Sequence, residues 1–168
     1  MNREQILRRR ICWLTVFFIA GLLASGVTAL PLRLEVNQLA SFLNLDESAS
    51  SSPAAGAAGW LLKVRTALTD TEIRQPFLFY GTDWLAFGHF VIALAFIGAL
   101  RDPVRNRWLF DFGLLACALV VPYALLLGGI RGIPLWWRLI DCSFGVFGAV
   151  PLWLCRQWAG ELEKPSGN

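Results

Sequence analysis

The chain has 168 residues, of which 56% are hydrophobic, with a formal net charge of +3 and a mean hydropathy of +0.54. That apolar share exceeds the roughly 45–50% usual in soluble globular chains, and the length suits one domain. Outside an N-terminal arginine cluster the small positive balance gives no basic surface suited to nucleic acid, so the partner expected is a lipid bilayer and no nucleic acid.

In chain order, the first element is an uncharged run over residues 11–30. About 20 residues at 1.5 Å each suffice to cross ~30 Å of hydrocarbon as a helix. The basic start, the apolar stretch and Val27-Thr28-Ala29 also fit a secretory signal with a small-residue cleavage site. Signal cores are usually ~7–15 residues long, so an uncleaved first span is expected; cleavage would leave three spans and move the new N-terminus outside.

The connection over residues 31–83 divides into three pieces. Leu32, Val36, Leu39 and Leu43 make an i, i+4, i+7, i+11 stripe, which predicts a short amphipathic helix. Residues 46–59, rich in Ser, Ala, Gly and Pro, read as a flexible linker. Trp60, Leu61, Val64 and Leu68 form a second stripe, with Lys63, Arg65, Asp70 and Glu72 mostly turned away, and Pro76 stops it. This length is too short for a well-stocked core, so the two helices are expected to lie on the bilayer surface or cap the bundle. Trp60 and the FLFYGTDW stretch suit the headgroup zone.

Three further runs follow, over residues 84–100, 108–130 and 134–155, and the first of them only just spans. Asp102-Pro103 marks the turn after the second span, and Gly128-Gly129 with Gly132 and Pro134 the turn after the third. Turns this short make spans two to four antiparallel neighbours. The fold expected is therefore an all-α membrane protein, a single domain over residues 1–168. It is a four-helix transmembrane bundle with a short amphipathic helical cap on the outer side. No internal repeat is visible, which disfavours an inverted-repeat transporter within one chain.

Lys and Arg concentrate at Arg3, Arg8, Arg9 and Arg10, at Arg101, Arg105 and Arg107, and at Arg156 and Lys164. With four spans these segments share one side, and the positive-inside rule makes that side cytoplasmic. Both termini are thus expected in the cytoplasm, in a multi-pass inner-membrane protein.

Cys12, Cys117, Cys142 and Cys155 all fall within spans or at their edges, without a C-x-x-C pair. That excludes a disulfide-stapled outer domain and paired-thiol redox chemistry; the plain reading is small buried apolar groups.

Ionisable groups inside spans cost ~2.5–3.5 kcal/mol each at the helix centre and less near the interface. On the topology above, Asp83, His89, Tyr123, Arg131, Arg138 and Asp141 all fall in the outer third of three adjacent helices. Arg138 and Asp141 are i, i+3, on one face and able to pair. Gly145 and Gly148 continue that face and would let a neighbouring backbone approach, so it points into the bundle. Ala86, His89 and Ala93 make a comparable stripe on the second span, and a pocket lined by His89, Arg138 and Asp141 is expected. It would hold a small anionic group or pass a proton, with Arg138 supplying charge, Asp141 orienting it and His89 exchanging the proton. The competing reading is a purely structural one, in which Arg138 and Asp141 lock two helices and His89 donates a packing hydrogen bond. Asp111, beside Arg105 and Arg107, reads as an interfacial ion pair.

One histidine and only the initiator methionine exclude bis-His or His/Met haem ligation within a single chain, though not a haem shared across a homodimer. Cys142 is the one thiol at the depth of His89, so a zinc site is not supported, and neither metal nor cofactor is expected. Phosphate-loop, zincin and serine-hydrolase signatures are absent from the sequence.

The runs YGTDWLAFGH, RDPVRNRW, IRGIP and WRLIDCSFG lie between residues 76 and 155. In them the chain resembles a set of small, uncharacterised bacterial inner-membrane proteins. The resemblance implies a bacterial inner membrane and carries no activity. Three functional readings stay open. The favoured one is a non-enzymatic accessory, sensor or small-ligand-binding subunit, with a membrane-protein partner or as a homo-oligomer. The others are a subunit of a small transporter or proton-linked channel, and a membrane-embedded enzyme using His89 with Asp83 or Asp141.

Overall fold

A computed structural model describes residues 2–45 and 56–163. Among them the chain is 89% helical with no strands. The helices are α1 (Arg3–Ala29), α2 (Leu32–Phe42), α3 (Gly56–Arg74), α4 (Tyr80–Arg101), α5 (Arg107–Ile130) and α6 (Leu135–Glu163), with a 3-10 turn at Pro76–Phe79 leading into α4. The protein is an all-α membrane bundle. Four helices are long and apolar enough to cross a membrane: Arg3–Ala29, Pro76–Arg101, Arg107–Ile130 and Leu135–Glu163. Residues 46–55, most of the expected linker, and the tail at Lys164 lie outside the described residues. Gly56–Gly59, read as linker, instead opens α3.

Two of the spanning helices run well past their apolar stretches. α1 begins at Arg3 rather than at residue 11, and α6 continues to Glu163 rather than ending at 155. Charged residues continue both helices because they find partners along and between them. Arg8 pairs with Glu4 one turn back, Arg3 with Glu161 at 3.0 Å, and Arg107 with Glu163 at 2.9 Å. The Arg3–Glu161 pair also places both described ends of the chain at one end of their unit.

The chain divides into two compact units, Met1–Gly21 with Ile92–Asn168, and Leu22–Val91. In the first, all four spanning helices contribute to one core: Ile11 from α1, Phe96 and Ala99 from α4, Leu109 and Phe110 from α5, and Leu152, Cys155 and Ala159 from α6. Phe96 stacks between Phe18, 4.8 Å away, and Phe110, 6.4 Å away. Large apolar side chains also cover the outside of the helices, with Leu94, Leu115, Leu126, Phe144, Phe147 and Trp153 all exposed. Lipid tails are as apolar as leucine, so burial supplies little drive between spanning helices and close packing must supply it.

That packing is densest between α5 and α6. A Cβ added at Gly145 would sit 2.6 Å from the backbone oxygen of Cys117, and one at Gly148 would meet the Cys117 sulfur at 3.1 Å. On the facing helix, a Cβ at Gly113 would lie 2.8 Å from Leu152. α5 ends in a left-handed cap. Gly132 takes φ +70, its N–H donates to Gly129 O at 3.1 Å, and the Ile133 N–H donates to Gly128 O at 2.8 Å. A β-carbon at this φ clashes with the chain, so Gly132→Ala is expected to cost about 1 kcal/mol of stability, read as a lowered midpoint in thermal unfolding.

In the second unit α2 packs on α3 through Val36, Ala40 and Leu61, with Leu45, Val64 and Leu68 around them. The expected stripe on α2 is thus only partly inward: Val36 is buried, while Leu39 and Leu43 are exposed and Ala40 takes the inner place. The chain leaves α2 through a second left-handed cap at Asn44, φ 49, which folds Leu45 back onto that core.

Candidate functional site

A shallow groove of about 630 Å³ runs along α5 on the side where α6 contributes Asp141. Its walls are mainly Leu119, Val120, Ala124 and Leu127, closed at the turn by Ile133. Three polar groups interrupt this apolar lining: Tyr123 from mid-α5, Arg131 at the helix end and Asp141 from α6. Tyr123 is 70% exposed, so its phenol is available to a molecule lying in the groove. Asp141 forms no ion pair among the described residues. Asp141 lies six residues into α6 from Leu135 and Tyr123 eight residues back from Arg131. At 1.5 Å per residue both therefore sit roughly 10 Å below Arg131. The groove thus presents a guanidinium at its mouth, and a hydroxyl and a carboxylate at mid-depth.

Arg138 does not pair with Asp141, although the two share a helix face. Its Nη1 donates to the Leu125 carbonyl at 3.0 Å, and its Nε is buried without a hydrogen-bond partner among the described residues. Its aliphatic stem lies where a Gly128 side chain would be, 2.6 Å from that Cβ position, and its Nη1 is 3.0 Å from the Cβ position of Gly129. Arg138 is therefore a cation held against the last turn of α5, the negative end of that helix's dipole. Gly128-Gly129, read in the sequence as a turn marker, lies inside α5 and makes room for this arginine.

His89 is bonded within the second unit. Its Nδ1 lies 2.8 Å from the Leu85 carbonyl, and its Nε2 lies 3.2 Å from the Ser25 hydroxyl of α1. A carbonyl only accepts, so Nδ1 carries the hydrogen and Nε2 accepts from Ser25. Ser25 was not among the sequence candidates; nothing in its surroundings signals which face of α1 it occupies. Asp83 lies in the first turn of α4, where a carboxylate favourably meets the helix N-terminus. Asp111 does form an ion pair, with Arg156 of α6 rather than with Arg105 or Arg107. Antiparallel packing of α5 on α6 brings Arg156 opposite it and gives Arg107 to Glu163.

A second, polar cleft of about 570 Å³ lies between α2 and α3, lined by Arg33, Asn37, Arg65, Thr66, Thr69 and Asp70. Most of its groups are already engaged: Arg33 pairs with Glu72, Arg65 donates to Asn37 at 2.9 Å, and both threonines bond carbonyls of their own helix. All four cysteines are free thiols. Among the described residues no three His, Cys, Asp or Glu side chains converge in a way that could hold a metal ion.

Fold and groove together define a class: an all-α protein with four membrane-span-like helices and an apolar groove along α5 carrying three polar groups. No protein-family model, curated protein or solved structure matches the chain.

Proposed function

We propose that this is a multi-pass protein of a bacterial inner membrane, non-enzymatic, that binds a small amphiphilic molecule in the α5 groove. The observation that carries the reading is the gathering of Tyr123, Arg131 and Asp141 in an otherwise apolar trough. Such a trough suits a ligand with an apolar body and one hydrogen-bonding end, since the few polar groups fix orientation while the walls supply contact. The orientation proposed places both termini in the cytoplasm and the groove in the outer half of the bundle. The arginines of α1, of the α4–α5 turn and of the end of α6 support it. The compartment proposed rests on the expectation drawn from the sequence runs between residues 76 and 155.

Native mass spectrometry of protein extracted gently from its own membranes tests the reading. The wild type is expected to carry a reproducible small mass, and Asp141→Asn with Tyr123→Phe to bind it on the order of 10–100-fold more weakly, the loss of hydrogen bonds to a charged group. A wild type without a bound small molecule, or one whose adduct survives the double substitution unchanged, would sink the proposal. A stoichiometric second polypeptide in place of the small mass would make the accessory-subunit reading the working one.

A further inference from the structure

We propose that the end of the first unit bearing both described termini binds the phosphate headgroups of anionic phospholipids, through Arg9, Arg10, Arg101 and Arg105. Carboxylates at this end are too few to pair with all of its arginines, and the α5 groove plays no part in their arrangement. The described acidic side chains at this end are Glu4, Asp102, Asp111, Glu161 and Glu163. Four are consumed in ion pairs: Glu4 with Arg8, Glu161 with Arg3, Glu163 with Arg107, and Asp111 with Arg156. The fifth, Asp102, accepts the backbone N–H of Arg105 at 3.0 Å and shapes the turn. Arg9, Arg10, Arg101 and Arg105 are left exposed, without a carboxylate partner among the described residues.

Their setting points to lipid rather than to a soluble anion. The Arg10 guanidinium lies 5.7 Å over the Trp158 ring, which holds its donors in place. Trp13 and Trp108, on the same helix ends, are 64% and 60% exposed. Indole rings at that position anchor in the headgroup layer and set the arginines at phosphate depth. A guanidinium matches two phosphate oxygens at once, which an ammonium cannot do, and each basic group near an anionic bilayer surface adds attraction.

The test is lipid retention by the full chain in mixed micelles of equal phosphatidylglycerol and phosphatidylcholine, counted by native mass spectrometry. Phosphatidylglycerol is expected to be enriched on the order of tenfold, with the enrichment falling as salt rises. Substituting all four arginines by glutamine should bring the ratio near parity, whereas Arg33→Gln with Arg65→Gln, in the other unit, should leave it unchanged. Should the fourfold variant misfold, Arg9→Gln with Arg105→Gln is the milder version and should lower the enrichment severalfold. Equal retention of the two lipids by the wild type, or enrichment indifferent to these substitutions, would overturn the proposal. So would abolition of the preference by millimolar inorganic phosphate, which would assign the arginines to the free anion. A salt-released acidic polypeptide found in place of bound lipid would also overturn it.

Discussion

Gly145→Ala is expected to destabilise the protein by about 1–3 kcal/mol, the usual range for forcing extra atoms into a packed interior. The new methyl would lie 2.6 Å from the Cys117 carbonyl oxygen, an atom of α5's backbone that no rotamer change can move. The two helices would have to separate along the seam that runs from Gly113 and Leu152 to Gly148. Because close approach is what holds spanning helices together, the loss extends beyond the one clash. Gly88→Ala is the control: nothing lies within 4 Å of its Cβ position, and alanine in a helix interior should stabilise by roughly 0.5–1 kcal/mol. Unfolding of both variants in the same detergent, followed by helical circular dichroism, measures the difference. Equal midpoints for the two would mean that α5 and α6 are not in contact at Gly145.

The second large effect is a coupling. Gly128→Ala places its methyl 2.6 and 2.7 Å from Cδ and Cγ of Arg138, near the middle of the side chain rather than its mobile end. Arg138 can yield only by giving up the Nη1 bond to Leu125. The substitution should therefore cost on the order of 1–2 kcal/mol in the wild type and close to nothing in an Arg138→Ala background. That is a coupling energy within the roughly 0.5–3 kcal/mol range seen for residues in contact. A double-mutant cycle read by chemical unfolding gives the number. Additive costs would show that Arg138 does not pack over the end of α5.

Both effects bear on what the sequence could reveal. The spans were legible because a long uncharged run has few alternatives, and Gly145 and Gly148 fall on a face where small residues have a physical use. Helix ends were less legible. Arg3, Glu161 and Glu163 sit outside any apolar run, and only partners far along the chain continue helix there. The polar groups were legible as a set but not as an arrangement. Arg138 and Asp141 share a face by spacing, yet helical side chains lean toward the N-terminus of their own helix. Arg138 therefore reaches back to Leu125 and Gly128, leaving Asp141 to the groove with Tyr123 and Arg131. The partner of His89 was illegible for another reason: Ser25 is 64 residues away, and no local pattern records which faces of α1 and α4 meet.

The Ser25–His89 contact has a property that a carboxylate partner would not give it. A hydroxyl supplies the hydrogen of this bond without adding a charge of its own to the span. The ring's other nitrogen gives its hydrogen to the Leu85 carbonyl, a second uncharged partner. α1 and α4 are thus tied at this level by neutral partners alone, without the desolvation cost that a carboxylate would bring into the span.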